Sequence, residues 1–299
     1  MDWVYIALGA YVLQAIVFAI DSVVVTKHLK NATSYAFFVS LLGLFAILLA
    51  PWGFEMITQI TIITSLFAGL AFTFGTLFFY RALHVHEASR VVPVVGGLVP
   101  LFAFALSFIF LPEQLPTSQI FSFLILVAGT VLITYPFHRN TKHHMKPAII
   151  GEMLLASLLF ACWGTLSKRV FLETNFINGL IWVRFGAAAG GMLLLFGHKL
   201  RKEILHGKRR LKIHSGGLII GNKLLSAVAT IALTYSIAIG NTTLVHALQG
   251  VQFVFLFGIV VFLSHWFPKF FKEDLRPSLI AQKLGSSILI AIGVAMLLV

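Results

Sequence analysis

Long apolar runs separated by short polar segments cover almost the whole chain. Ten runs can be delimited, and each is close to or above the roughly 20 residues that cross a hydrocarbon core as a helix. Helix is the expected form, because lipid cannot satisfy exposed backbone N–H and C=O groups. The ten predicted spans are Trp3–Val25, Ser34–Phe54, Ile57–Leu83, Ala88–Leu111, Gln119–Pro136, Pro147–Phe171, Phe176–Gly197, Ser215–Ile239, Thr242–Phe267 and Leu279–Val299.

The second half of the chain repeats the first. Ala19–Ser22, followed by Lys27, corresponds to Ala161–Gly164, followed by Lys168 and Arg169. Near the end of each half, Ala128–Ile133 corresponds to Ile292–Leu297. Each half holds five predicted spans, and because five is odd the second copy enters the membrane from the opposite side.

This pattern predicts an all-α integral membrane protein. We expect ten transmembrane helices arranged as two inverted five-helix repeats, residues 1–140 and 147–299. Inverted repeats are typical of secondary transporters, which bind substrate between the repeats near the bilayer midplane.

Composition agrees with a membrane location. The chain has 299 residues, of which 59% are hydrophobic and 11% charged, with a mean hydropathy of +0.96, whereas a soluble domain has about 25% charged residues. The single cysteine, Cys162, excludes an intrachain disulfide and a thiolate metal site. Trp3–Val25 is a full-length span with no charged segment before it, so we expect no cleavable signal peptide.

The distribution of positive charge predicts the orientation. The net charge is +12, and 18 of the 22 Lys and Arg residues lie in connections on one side, which we call the basic face. The opposite face has only Lys168 and Arg169, and Arg184 and Lys223 lie within spans. By the positive-inside rule the basic face is cytoplasmic, so both termini are expected outside the cell membrane. Because topology accounts for the charge, we expect no nucleic-acid partner.

Several short motifs occur in a recognisable order along the chain. They are Ala82–Leu83, Ala88–Arg90, Val92–Pro93, Pro100–Leu101, Leu111–Leu115, Trp163–Gly164 and Trp182–Phe185. Together they resemble EamA-type transporters of the drug/metabolite transporter superfamily. The resemblance covers nearly the whole chain and implies two five-helix repeats, ten spans and transport activity. It also implies cytoplasmic termini, contrary to the charge bias, and a tryptophan where this chain has Asp21.

Polar side chains inside the spans are the candidates for substrate binding. An ionisable residue at the centre of a span costs about 2.5–3.5 kcal/mol on insertion scales, so it usually faces a cavity or a partner. The candidate substrate-binding residues are Gln14, Asp21, Arg184, Asn222, Lys223, His246, Gln249 and Gln252.

Each candidate also has a structural interpretation. Asp21 lies close enough to the end of its span to sit at the headgroup level, and Lys223 could extend to an interface. Arg184 could pair with Glu152 or Asp21 and hold helices in register. Gln14 lies seven residues before Asp21, on the same helical face. The spacing of His246, Gln249 and Gln252 puts these residues on one face of a helix, where they line a cavity or bond across helices.

The predicted function is transport by alternating access around a central site formed by spans one to four and six to nine. Spans five and ten are expected at the periphery, in contact with lipid or with a second subunit in a homodimer. The basic residues suggest a small polar substrate that is anionic or amino-acid-like, and proton or ion coupling is left open. The alternatives are a membrane-embedded enzyme or flippase for a lipid-linked group, and a non-transporting scaffold. An enzyme would need a nucleophile or a metal cluster, so we expect no catalytic residue, cofactor or metal.

Overall fold

A computed structural model describes residues 2–28, 32–85, 88–112, 115–134, 147–206, 216–266 and 277–298. Of these residues 93% are helical, and none of them lies in a strand. In chain order the helices are α1 (Asp2–His28), α2 (Ala32–Leu42), a 3₁₀ helix (Gly43–Trp52), α3 (Gln59–Val85), α4 (Ala88–Phe110), α5 (Thr117–Thr134), α6 (Pro147–Glu173), α7 (Phe176–Phe196), α8 (His198–His206), α9 (Gly216–Ile239), α10 (Thr242–Ala247), α11 (Gln249–Trp266) and α12 (Pro277–Leu298).

Every predicted span has a helical counterpart, but two of them are interrupted. The second changes from α to 3₁₀ geometry at Gly43, and the ninth breaks at Leu248 into α10 and α11. The structure also has α8, a short helix in a connection of the basic face that the apolar pattern did not indicate.

Eight helical segments within the described residues are long and apolar enough to cross a membrane. These include the second and ninth spans with their interruptions. The apolar parts of α4 and α5, Val94–Phe110 and Thr117–Ile133, are shorter. The chain is therefore an all-helical protein with at least this many candidate spans.

The two halves are interleaved. The largest buried apolar cluster runs from Val4 on α1 to Leu297 on α12 and has members from both halves. The main pairings also join the halves: α3 packs on α6 and α7, α1 packs on α9 and α11, and α5 packs on α12.

Glycine allows the closest of these approaches. A Cβ on Gly69 of α3 would lie 2.1 Å from the backbone nitrogen of Ala187, and a Cβ on Gly186 of α7 would lie 2.7 Å from the Cα of Leu66. Small residues let helix backbones approach in this way in membrane proteins. Gly186 and Gly190 have the small-xxx-small spacing that such close packing uses. Gly217 and Gly221 have the same spacing, but Gly221 has open space around its Cα.

The contact between α5 and α12 is reciprocal. A Cβ on Gly129 would lie 2.7 Å from Cγ1 of Ile290, and a Cβ on Gly293 would lie 2.8 Å from Cγ of Leu126. Gly293 and Ile290 follow Gly129 and Leu126 by the same 164 residues, which is the spacing between Ala128–Ile133 and Ile292–Leu297. A step of three residues forward along α5 corresponds to a step of three backward along α12. The two helices therefore run antiparallel.

This reciprocity predicts that Gly129→Ala and Gly293→Ala destabilise the protein to a similar extent. Each added methyl group enters a filled contact, and overpacking of this kind costs about 1–3 kcal/mol. The matched control is Gly285→Ala on α12, where a Cβ would meet nothing within 4 Å. Because alanine favours helix over glycine by about 1 kcal/mol, we expect that control to leave the thermal unfolding temperature in detergent unchanged or raised. A control as destabilised as the two test variants would contradict the prediction.

Candidate functional site

Four side chains from four helices form a continuous row across the centre of the helical assembly. The Arg184 guanidinium carbon of α7 lies 5.3 Å from the ring centre of Phe72. The Phe72 ring, at the middle of α3, lies 5.4 Å from the Trp163 ring of α6. The Trp163 ring in turn lies 6.5 Å from the His246 ring of α10, in an edge-to-face arrangement. The row thus connects two candidates that the sequence could only name separately.

Arg184 is held at one end of the row by packing on two sides. Its side chain is 9% exposed, and a Cβ on Gly43 would lie 3.0 Å from its Cδ. Among the described side chains no carboxylate forms an ion pair with Arg184. The suggested pairing with Glu152 is therefore wrong. A cation over an aromatic face gains about 2 kcal/mol when it is desolvated, but its N–H groups can still bind an anion.

A hydrogen-bonded chain fixes the helices around Arg184. The hydroxyls of Ser40 on α2 and Thr73 on α3 are 2.8 Å apart, and Thr73 donates to the carbonyl of Ala187 on α7 at 2.8 Å. This chain links the three helices within one turn of Arg184. Interhelical polar contacts contribute about 0.6 kcal/mol each on average, so their main effect is to set the register.

His246 lies at the other end of the row. It is 4% exposed, and a Cβ on Gly164 would lie only 2.2 Å from its Nε2. Gly164 therefore provides the space that the imidazole occupies. Within the described part of the chain, Nε2 has no hydrogen-bond partner. A buried polar atom without a partner is costly, so a hydrogen-bond partner brought to this nitrogen would be bound favourably.

Lys168 is a residue whose role the sequence analysis missed. The charge count assigned it to the opposite face, at the end of the span Pro147–Phe171, but did not indicate that it is buried. Its ammonium donates to the carbonyls of Ala238 at 3.0 Å and Gly240 at 2.8 Å. These carbonyls end α9, where a cation is favourable. The neighbouring Arg169 made this stretch resemble the end of a span.

Lys168 also helps to place His246. Lys168 and Gly164 are four residues apart and share a face of α6. Asn241, next to the carbonyls that Lys168 binds, caps α10 by accepting a hydrogen bond from the Leu244 N–H at 3.2 Å. One face of α6 thus holds the turn between α9 and α10 and also contacts the imidazole that α10 carries.

Lys223 lies apart from the row, nearer to the basic face. Its ammonium is 3.3 Å from the Tyr35 hydroxyl of α2, and the Tyr35 ring lies 4.2 Å from the Tyr80 ring of α3. Asn222, beside it on α9, is buried. Lys223 therefore connects the two halves near the basic face, and it does not extend freely to the interface.

The remaining candidates occupy positions around the break in the ninth span. Gln252 is 1% exposed on α11, Gln249 is half-buried, and Gln14 is half-buried on α1. Tyr11, one turn before Gln14, donates to the carbonyl of Val245 at 2.8 Å. The prediction that His246, Gln249 and Gln252 lie on one helix is corrected, because Leu248 divides them between α10 and α11.

Asp21 is the one candidate whose side chain lies outside what the structure describes, although its backbone belongs to α1. Among the described residues there is no group of three or more His, Cys, Asp or Glu side chains that could hold a metal ion. The structure thus brings Arg184 and His246 together through Phe72 and Trp163, and places Lys223 and Asn222 elsewhere.

Comparison with known proteins gives a family match for the first part of the chain. Residues 3–135 match the model of the EamA-like transporter family. The match covers the first of the two predicted repeats. The family is one of multi-pass membrane transporters, which is the class that the sequence motifs suggested.

A solved structure described as "Crystal structure of protein" has a similar fold over nearly the whole of this chain. It is 14% identical, with a TM-score of 0.69, and the match covers 98% of this chain and 94% of that chain. At this identity the likeness concerns the fold alone. None of the curated proteins compared with the chain matches it.

The position of Lys168 predicts a difference between two adjacent cations. Lys168→Gln removes a charged donor from two buried carbonyls, and hydrogen bonds of charged groups contribute about 1.5–3 kcal/mol. Arg169→Gln removes an exposed ion pair with Glu173, 2.9 Å long and one turn away on the same helix, worth about 0.3–0.5 kcal/mol. We expect thermal unfolding in detergent to show a much larger loss for Lys168→Gln. Equal losses would mean that Lys168 does not anchor the end of α9.

Proposed function

We propose that this protein is a secondary transporter that moves a small anionic or amino-acid-like metabolite across the cell membrane by alternating access. The observation that carries the proposal is the row from Arg184 to His246. It runs through the middle of α3 and joins helices of both halves, and polar groups at its two ends are buried without carboxylate or hydrogen-bond partners among the described residues.

The proposal includes ten spans in two inverted repeats. The reciprocal contacts of Gly129 and Gly293 support it, because a twofold axis parallel to the membrane normal would make corresponding helices run in the same direction. Instead α5 and α12 are antiparallel, as an axis in the membrane plane requires. Two other pairings also support it. The third and sixth spans, α3 and α6, pack together, and so do their counterparts in the repeat, the eighth and first spans, α9 and α1.

The two interrupted helices support a site at this depth. Secondary transporters commonly form their sites at discontinuous helices. Here the change to 3₁₀ geometry begins at Gly43, in contact with Arg184, and the break at Leu248 falls between His246 and Gln249. Both interruptions therefore adjoin an end of the row.

The charge at the site indicates the substrate class. The planar guanidinium of Arg184 suits a carboxylate or a phosphate, and no described carboxylate occupies it. His246 and Gln252 would hydrogen-bond polar groups at the other end of the substrate. Lys223, near the basic face, would attract the same anion toward the site from the cytoplasm. An imidazole that can exchange a proton also leaves coupling to protons open.

A ligand screen with matched variants tests the proposal. The purified protein would be heated with amino acids, nucleotides, sugar phosphates and organic cations. A ligand that binds only the folded state at 100 times its Kd stabilises by about 2.7 kcal/mol. We expect stabilisation by carboxylates or phosphates that is lost in Arg184→Gln and kept in Lys283→Gln. Lys283 is the control because it lies on the peripheral α12, with its ammonium over the Phe257 ring.

Two results would contradict the proposal. Stabilisation by organic cations alone would exclude the proposed substrate class. A ligand that stabilises the protein but shows no flux in proteoliposomes would exclude transport and favour a receptor or scaffold.

A further inference from the structure

The 3₁₀ helix Gly43–Trp52 is unusual in length and in surroundings. It has 10 residues, whereas 3₁₀ runs longer than three or four residues are uncommon, and a stretch within a longer helix often marks a hinge. None of its residues is buried. Phe45, Leu48 and Trp52 are exposed large apolar residues that would face lipid. The segment packs along α7, but no fully buried side chain of its own holds it in its extended geometry.

Both ends of the 3₁₀ helix are fixed by contacts with α7. At its start, Gly43 contacts the Arg184 side chain. At its end, the chain turns at Gly53, whose φ of +157° favours glycine. The next residues are then bonded to the beginning of α7.

These last contacts, which we call the loop–α7 contact, join the two halves on the opposite face. Asn175 donates to the carbonyl of Gly53 at 3.0 Å, and the Glu55 N–H donates to Asn178 at 3.2 Å. Trp182 donates to the carbonyl of Glu55 at 3.4 Å, and its ring stacks on Phe54 at 5.8 Å.

A change from 3₁₀ to α geometry would break the loop–α7 contact. The rise falls from about 2.0 to about 1.5 Å per residue, so ten residues shorten by about 5 Å. The turn per residue falls from about 120° to about 100°, which rotates the far end by about 200°. Hydrogen bonds weaken steeply with such displacements.

The end of the segment already mixes the two geometries. The carbonyl of Ala50 accepts from the Gly53 N–H at 3.2 Å, an i to i+3 bond, and from the Phe54 N–H at 3.0 Å, an i to i+4 bond. In an α-helix the ring of Pro51 would clash with the carbonyl of Ile47, four residues earlier. The loop–α7 contact and Pro51 together favour the extended form.

We propose that Gly43–Trp52 is a conformational switch, held in 3₁₀ geometry by the loop–α7 contact, whose shortening to an α-helix separates the halves on the opposite face. The role of this switch in transport rests on the proposed function. A substrate that draws Arg184 toward itself moves the side chain against which Gly43 packs. Arg184 would in this way connect substrate binding to the opening of the opposite face.

Spin labels measure the length of the segment directly. Cysteines at Phe38 and Trp52, both exposed, would be introduced in a Cys162→Ala background, and their separation measured by electron–electron double resonance in nanodiscs. The axial separation is about 26 Å with the 3₁₀ helix and about 21 Å with a continuous α-helix. No substrate is needed, so the result is independent of whether transport is found.

Two variants perturb the segment from its two sides. Asn175→Asp with Trp182→Phe keeps the α7 cap and the ring stack but removes two donors of the loop–α7 contact. Pro51→Ala removes the ring that would clash with the Ile47 carbonyl in an α-helix. We expect both variants to give a population about 5 Å shorter than the unmodified protein. Asn241→Asp is the matched control, because Asn241 caps α10 in the way that Asn175 caps α7 and makes no loop–α7 contact.

The proposal is overturned by either of two results. The first is an unchanged separation in both variants, which would show that neither the contact nor Pro51 controls the geometry. The second is an equal shortening in Asn241→Asp, which would show that the effect is not specific to the loop–α7 contact.

Discussion

The crossing of α3 and α7 at Gly69 and Gly186 determines the geometry of the centre. In a bilayer no hydrophobic effect drives helices together, so they associate through close backbone packing and a few polar contacts. At this crossing a single methyl group on Gly69 would overlap the backbone of Ala187. Phe72 follows Gly69 by three residues, and Arg184 precedes Gly186 by two. The close approach therefore brings the guanidinium over the ring.

A second close approach completes the row at its other end. Gly164 provides the space that the imidazole of His246 fills, and Lys168 fixes the turn that precedes α10. Arg184 and His246 thus each pack against a glycine of another helix, Gly43 and Gly164. These contacts fix the depth at which the two polar groups lie.

The long apolar runs in the sequence were sufficient to locate the long helices, because a membrane span must be long, apolar and internally hydrogen-bonded. The apolar pattern did not reveal the interruptions at Gly43 and Leu248, since a 3₁₀ segment such as Gly43–Trp52 is as hydrophobic as an α-helix. The match between Ala128–Ile133 and Ile292–Leu297 predicted corresponding helices, but their direct contact through Gly129 and Gly293 depends on tertiary packing.

The site was predictable only in part, because the contacts between its residues also depend on tertiary packing. Arg184 and His246 stand out in the sequence because polar residues are costly in a span. Phe72 is indistinguishable there from the many aromatic residues that face lipid, and Trp163 stood out only as part of the motif Trp163–Gly164. The role of Lys168 was missed because charge counting cannot separate a buried cation from an exposed one such as Arg169.

The central claim is that one site between the halves is reached from each side in turn. The most direct test places a cysteine at Gln249, half-buried beside the break in the ninth span, in a Cys162→Ala background reconstituted in sealed proteoliposomes. A membrane-impermeant maleimide is then applied either outside or inside. The account predicts labelling from both sides, whereas the control Phe196→Cys, exposed where α7 ends at the basic face, is labelled from one side only. Labelling from one side only, however long the exposure, would contradict alternating access.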